Sequence, residues 1–225
     1  MATILENVQG VKARIAQAAR AAGRDPAAVI LLAVSKTHPA ERIGEARAAG
    51  LTAFGENYVQ EAAAKMDALA GVEWHLIGPL QANKSRLAAE RFDWVQTIDR
   101  VKIASRLSEQ RPAHLPPLNV LIQVNISGEA SKSGVAVKEV TALAAATAAL
   151  PRLRLRGLMA IPAPGATADF PKVKHLYDEL RARFGFDTLS MGMSDDMDEA
   201  IAAGATMVRI GTAIFGARKP EKGTA

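Results

Sequence analysis

The sequence predicts an α/β fold, a single (β/α)8 barrel with an extra helix at its N-terminus. Three observations carry this prediction. Short apolar runs alternate with helical patterns along the chain, as they do when parallel strands are joined by helical crossovers. Eight such runs occur within 225 residues, close to the ~250 typical of a closed eight-stranded barrel. The first run, residues 29–34, is apolar without alternation, which suits a strand covered on both faces. An open doubly wound sheet is the competing arrangement. It is weakened because no Gly-x-Gly-x-x-Gly follows the first strand. With no repeat and no long linker, residues 1–225 are expected to form one domain, leaving no room for a second.

Each element has its own warrant. Ile4, Val8, Val11 and Ile15 share one helical face, and Thr3 with Glu6 makes a capping box. Gly23, Asp25 and Pro26 end that helix. The strand at 29–34 runs into Ser35-Lys36-Thr37-His38-Pro39. A helix follows through Ile43 and Ala46 and closes at Gly50. A short strand at 53–55 leads to Glu56-Asn57 and a helix ending near Gly71. Strands at 74–77 and 94–98 precede helices at 83–91 and 100–110, and Pro112, Pro116 and Pro117 mark a loop. Strands at 118–125 and 153–159 flank an Ala-rich helix at 137–150. A helix at 171–184, a strand at 189–191 and a helix at 195–203 with Gly204 at its end come next. The last strand, 207–210, gives way to a turn or short helix from Gly211.

Composition narrows the chemistry. Hydrophobic residues make up 49% and charged residues 23%, which is ordinary for a globular domain and unlike a disordered chain. The absence of Cys removes disulfides, thiol nucleophiles and cysteine-zinc sites. The four His lie far apart without metal-ligand spacing, so no metal is expected. The net charge of +5 could serve nucleic acid, but the cations are interleaved with acids. The densest group, Arg152, Arg154 and Arg156, alternates with Leu153 and Leu155, as in a strand with one polar face. Ten aromatic residues offer no stacking platform. No nucleic-acid partner is expected, and an anionic small ligand is the better use of local positive charge. The start of the chain lacks a signal-peptide pattern, and the longest apolar stretch is far below the ~18 residues of a membrane span. A cytoplasmic location without membrane contact is therefore expected.

In such a barrel the active site lies at the C-terminal ends of the strands. That rule selects Lys36, Glu56, Asn57, His75, Asn125, Ser194, Arg209, Gly211 and Thr212. Lys36 leaves a buried strand at the barrel mouth. It is either a lysine that snorkels to water or an amine placed to attack a carbonyl. The loops after strands seven and eight often hold a phosphate. The Ser194 hydroxyl and the amides of Gly211 and Thr212 suit that task, although Ser194 and Thr212 also read as plain helix caps. Arg209 within a strand needs a partner if it is buried. Glu56 is one candidate, and the ring nitrogen of a bound pyridine is another. A Schiff-base lysine, a phosphate cup and a central arginine together describe a pyridoxal 5′-phosphate site.

These residues stand within longer stretches that resemble the pyridoxal phosphate homeostasis protein family, whose fold is like the barrel domain of bacterial alanine racemase. The stretches are Ala33-Val34-Ser35-Lys36-Thr37, Phe54-Gly55-Glu56-Asn57-Tyr58-Val59-Gln60-Glu61 and Trp74-His75-Leu76-Ile77-Gly78-Pro79-Leu80-Gln81-Ala82-Asn83-Lys84. They continue with Val124-Asn125-Ile126, Ser131-Lys132-Ser133-Gly134, Gly157-Leu158-Met159, Met191-Gly192-Met193-Ser194-Asp195-Asp196 and residues 208–216. Leu76 departs from the Phe common in the family. The resemblance implies Lys36 as the Schiff-base lysine, Ser194, Gly211 and Thr212 around the phosphate, and Arg209 at the pyridine nitrogen. It implies Asn57 and His75 along the ring. Lys84 and Lys132 match family positions and read equally as loop cations, and Lys65 reads as a solvent-facing helix residue. It further implies a cytoplasmic monomer that buffers or delivers the cofactor, in transient contact with apo-enzymes that use it, and that lacks robust catalysis. The competing activity is an amino-acid racemase on the same barrel. Racemases of that kind use a second domain and a partner subunit to supply a tyrosine base, and this chain has only Tyr58 and Tyr177.

Overall fold

The computed structural model describes residues 2–129, 132–163 and 165–216; Ser131 of the family stretches lies outside them. The helix α1 (Ile4–Ala21) opens with the expected capping box, Thr3 and Glu6 each accepting the other's backbone N–H. Its stripe of Ile4, Val8, Val11, Ile15 and Ala19 is buried.

The barrel then builds as strand and helix alternate: β1 (Ile30–Val34), α2 (Ala40–Ala48), β2 (Ala53–Glu56), α3 (Val59–Ala68), β3 (Glu73–Leu76), α4 (Ser85–Arg91), β4 (Trp94–Ile98), α5 (Val101–Gln110) and β5 (Leu118–Asn125). It continues with β6 (Val135–Ala136), α6 (Val140–Ala148), β7 (Leu153–Ala160), α7 (Asp169–Phe184), β8 (Thr188–Ser190), α8 (Met197–Ala202), β9 (Met207–Ile210) and α9 (Thr212–Phe215). Every pairing is parallel. The ring runs β1-β2-β3-β4-β5-β7-β8-β9 and closes because β4 pairs with β5 and β9 with β1. This is the predicted closed eight-stranded barrel.

Two details differ from the sequence expectation. The short strand β6 adds to the end of β5; two residues carry too little pattern to be read in sequence. Within the first strand Leu32 and Ala33 are buried, and Leu31 and Val34 are half-buried. Ile30, at the N-terminal rim, is 46% exposed. The alternation at 153–156 holds, with Leu153 and Leu155 buried and Arg154 exposed.

Most of the core lies between the strands and the surrounding helices. Two small apolar groups stand apart from it, one of Leu32, Ala53 and Met207 and one of Trp94, Leu121 and Met159. The extra helix α1 packs on α8, α9 and α2. From there it fixes both loops at which a phosphate was expected. Asn7 donates to the Ile214 carbonyl at 2.9 Å, and Arg14 donates to the Ser194 carbonyl at 2.8 Å. Among the described residues no helix is long and apolar enough to cross a membrane, and no cluster of His, Asp and Glu could hold a metal.

Candidate functional site

The pairing of β1 with β9 sets Ala33 beside Ile210, so the two strands reach the barrel mouth together. Lys36 leaves the end of β1 there, half-buried. It lines one cleft with Val34, His38, Gly211, Thr212 and Gly216. A Cβ on Gly211 would come within 3.2 Å of the Val34 carbonyl oxygen, so the close approach of the two strand ends favours glycine there. The cleft has a volume of about 30 Å³, room for one or two waters.

The Lys36 loop is held from behind. Thr37 has φ +66°, a strained value for a β-branched residue. Its amide donates to Glu61 Oε1 at 2.6 Å. Lys65 Nζ donates to the Ser35 carbonyl at 3.0 Å, to Glu56 Oε1 at 2.8 Å and to Glu61 Oε1 at 2.7 Å. The Ser35 hydroxyl donates to Glu56 Oε1 at 2.6 Å. The expectation of a solvent-facing Lys65 is thus corrected, for Lys65 is 7% exposed and Glu56 is fully buried. Burial raises the Glu56 carboxyl above the usual range, against the pull of Lys65 and the Ser35 hydroxyl. A signal was present in the sequence: Val59, Ala62 and Lys65 recur every three residues, and all three are buried on α3.

With Lys65 on Glu56, that carboxylate is not the partner of Arg209. Arg209 is 4% exposed. It donates to Ser190 Oγ and to the Ala160 carbonyl, each at 2.9 Å. Desolvation lowers it to about 10, so it stays a cation at neutral pH. Among the described residues it makes no ion pair.

His75 is buried on β3 with its ring stacked on Trp94, centroids 5.1 Å apart. Nε2 lies 2.8 Å from Glu73 Oε1, and Nδ1 lies 2.9 Å from Gln96 Nε2. Its path to Arg209 runs through Gln96 and Ser190. Burial lowers the His75 imidazole below its ordinary value, against the pull of Glu73. The unfolded chain therefore binds a proton that the native state resists, and stability is expected to fall as pH drops through about 6.5. An NMR titration should show the His75 ring still neutral in that range.

The remaining residues sort by loop. Ser194 and Thr212 are not helix caps: Asp196 precedes α8 and Gly211 precedes α9. Ser194 is half-buried and lines a hollow of about 300 Å³ with Arg14, Ile210 and Ala213. It does not line the cleft that holds Lys36, Gly211 and Thr212. The turn before Ser194 needs Gly192, which has φ +94° and where a Cβ would lie 2.5 Å from the Ala200 Cβ. Asn57 follows β2, and its carbonyl oxygen would be 2.2 Å from a Cβ on Gly78; Thr97 in turn donates to the Gly78 carbonyl at 2.9 Å. Asn125 organises its own loop, donating to the carbonyls of Glu129 and Lys132. Lys84 and Lys132 stay outside the Lys36 cleft. Tyr58 is 61% exposed, and Tyr177 is buried on α7 against Phe186. The sequence reading missed Gln96, Ser190 and Lys65. The spacing of Glu73 and His75, two apart on one strand, was a legible sign of a same-face pair.

Residues 7–219 match the family model described as the N-terminal domain of alanine racemase. The chain is 61% identical to the pyridoxal phosphate homeostasis protein of Pseudomonas aeruginosa over 225 residues, covering 97% of each. It is 58% identical to the protein of that name from Escherichia coli K12, covering 99% of this chain and 100% of the other. It also resembles a solved structure of PipY from Synechococcus elongatus with pyridoxal phosphate bound, at 34% identity and a TM-score of 0.81, covering 95% of this chain and 100% of that one.

Proposed function

Because the chain belongs to the pyridoxal phosphate homeostasis protein family, we propose that it binds pyridoxal 5′-phosphate at the barrel mouth and serves in intracellular vitamin B6 balance. One juxtaposition carries this reading. Lys36 shares a cleft with Gly211 and Thr212, while Arg209, buried and without an ion pair among the described residues, lies two positions before Gly211. The residues fit the group. Lys36 supplies the amine for the Schiff base. Gly211, Thr212 and Ser194 are the phosphate donors, and Arg209 faces the pyridine nitrogen. Asn57 flanks the ring, and His75 reaches it through its hydrogen-bonded neighbours.

The cofactor, when bound, supplies an electron sink. An arginine at the ring nitrogen keeps that nitrogen unprotonated and weakens the sink. A weakened sink suits release of the cofactor more than chemistry upon it. We therefore read the chain as one cytoplasmic, monomeric barrel that buffers or delivers the cofactor, meeting apo-enzymes transiently. The name of the matching family keeps a racemase as the second reading.

Borohydride reduction after loading with pyridoxal phosphate tests this. A single cofactor fixed on Lys36, mapped by peptide mass, is the expected result. Label spread over surface lysines would overturn it. Deuterium exchange at an amino-acid α-carbon, faster than with free cofactor and dependent on Lys36, would favour the racemase.

A further inference from the structure

A polar chain crosses the interior of the barrel from the proposed site to the opposite end. Arg209 Nη1 meets Ser190 Oγ at 2.9 Å, Ser190 Oγ meets Gln96 Oε1 at 2.7 Å, and Gln96 Nε2 meets His75 Nδ1 at 2.9 Å. His75 Nε2 then meets Glu73 Oε1 at 2.8 Å. The links come from β9, β8, β4 and β3. All but Glu73 are buried, and Glu73, at the start of β3, keeps 48% of its side chain exposed.

The donors and acceptors leave one assignment. A guanidinium has no acceptor, so Ser190 Oγ must accept from Arg209. Its own proton then goes to the Gln96 oxygen, which turns the Gln96 amide nitrogen toward His75. Nδ1 must therefore be the acceptor, and the ring proton sits on Nε2, facing Glu73. Every bond points the same way, from a buried cation to a carboxylate. Such aligned bonds polarise one another in a low-dielectric interior. The second amide proton of Gln96 is directed at Met207 Sδ, 3.2 Å away, which holds the amide in this orientation.

We propose that Glu73 is the counter-charge of Arg209, reached through Ser190, Gln96 and His75. These three are then positioning residues for the cofactor ring, and the charge at the barrel floor is coupled to the cofactor at its mouth. This rests on the reading that Arg209 faces the ring. Other charges stand near the chain. Asp93 accepts from the Trp74 amide at 2.8 Å and feels Arg111. Arg156 lies 4.8 Å over the Trp94 ring and pairs with Asp187. Asp196 is the acid that acts on Arg209 from the mouth. None of them bonds to a link of the chain.

The test uses the cofactor-loaded protein and the pH midpoint of its visible band. Glu73→Gln keeps an acceptor for His75 but removes the charge, and it should lower the midpoint by about 0.5 pH unit. Gln96→Met cuts the chain at similar volume and should lower it likewise. In the Gln96→Met background, Glu73→Gln should add nothing. Additive shifts would mean that Glu73 acts through space and would overturn the relay. Unchanged midpoints in both single variants, with Lys36 still labelled by borohydride, would overturn it too while leaving the binding site intact. A wild-type protein that takes up no cofactor would instead refute the binding reading. If Gln96→Met does not fold, Ser190→Ala cuts the first link and is read in the same way.

Discussion

Replacing Lys65 with methionine is expected to destabilise the protein by about 3–5 kcal/mol, the range for stranding one member of a buried ion pair. The reason lies in Glu56, fully buried and held by Lys65 at 2.8 Å. Its second oxygen, Oε2, has no hydrogen-bond partner, so the cluster has little reserve. Without Lys65 the carboxylate must either stay charged in an apolar setting or take up a proton. Burial already pushes that carboxyl upward, and losing the ammonium pushes it further. A carboxyl raised in the native state binds protons that the unfolded chain releases, so stability falls as pH rises above the unfolded value. The cost of Lys65→Met should therefore be larger at about pH 8 than at about pH 5. Urea denaturation at both values measures it. The double variant Lys65→Met, Glu56→Gln should recover most of the loss, since removing both charges of a buried pair is far cheaper than removing one. A single variant that costs under about 1 kcal/mol would mean that the pair behaves as a solvated one.

The difference between Lys36 and Lys65 also marks how far the sequence could be read. Lys36 follows six apolar residues and Ser35, and its place at the barrel mouth follows from a rule of the architecture. The βα alternation and the capping box at Thr3 were legible for similar reasons, because each is local in sequence. Lys65 was legible only in part: its spacing from Val59 and Ala62 sets it on the buried stripe of α3, but a lysine on a helix is solvent-exposed by default. Its burial depends on Glu56 lying across from it on β2, a contact between elements. Gln96 and Ser190 were missed for a related reason. In a strand buried on both faces one polar residue breaks no pattern. Its partner becomes visible only when the closed ring brings β4 and β8 to face each other across the interior. Arg209 was legible as a buried cation in search of a partner. That its hydrogen bonds lead through three neutral side chains to Glu73 was not.

Lys36→Ala is expected to do the reverse of Lys65→Met: it should leave the fold intact and abolish the covalent hold on the cofactor. Lys36 is half-buried at the barrel mouth, so its truncation should cost far less than that of the buried Lys65, about 1 kcal/mol or less. Pyridoxal phosphate should bind about 100-fold more weakly, ~2.8 kcal/mol, and borohydride should incorporate none at this position. What binding remains would come from Gly211, Thr212 and Ser194 around the phosphate and from Arg209 at the ring. It should therefore be competed by inorganic phosphate. Calorimetry of cofactor binding and the rise in melting temperature at saturating cofactor give the two readouts, since a ligand that binds only the native state stabilises it in proportion to its affinity. An unchanged spectrum and affinity in Lys36→Ala would remove Lys36 from the site. The two lysines then separate cleanly: Lys65 carries its charge for the fold and holds the Ser35 carbonyl in place, while Lys36, the next residue after Ser35, is the one proposed to take the cofactor.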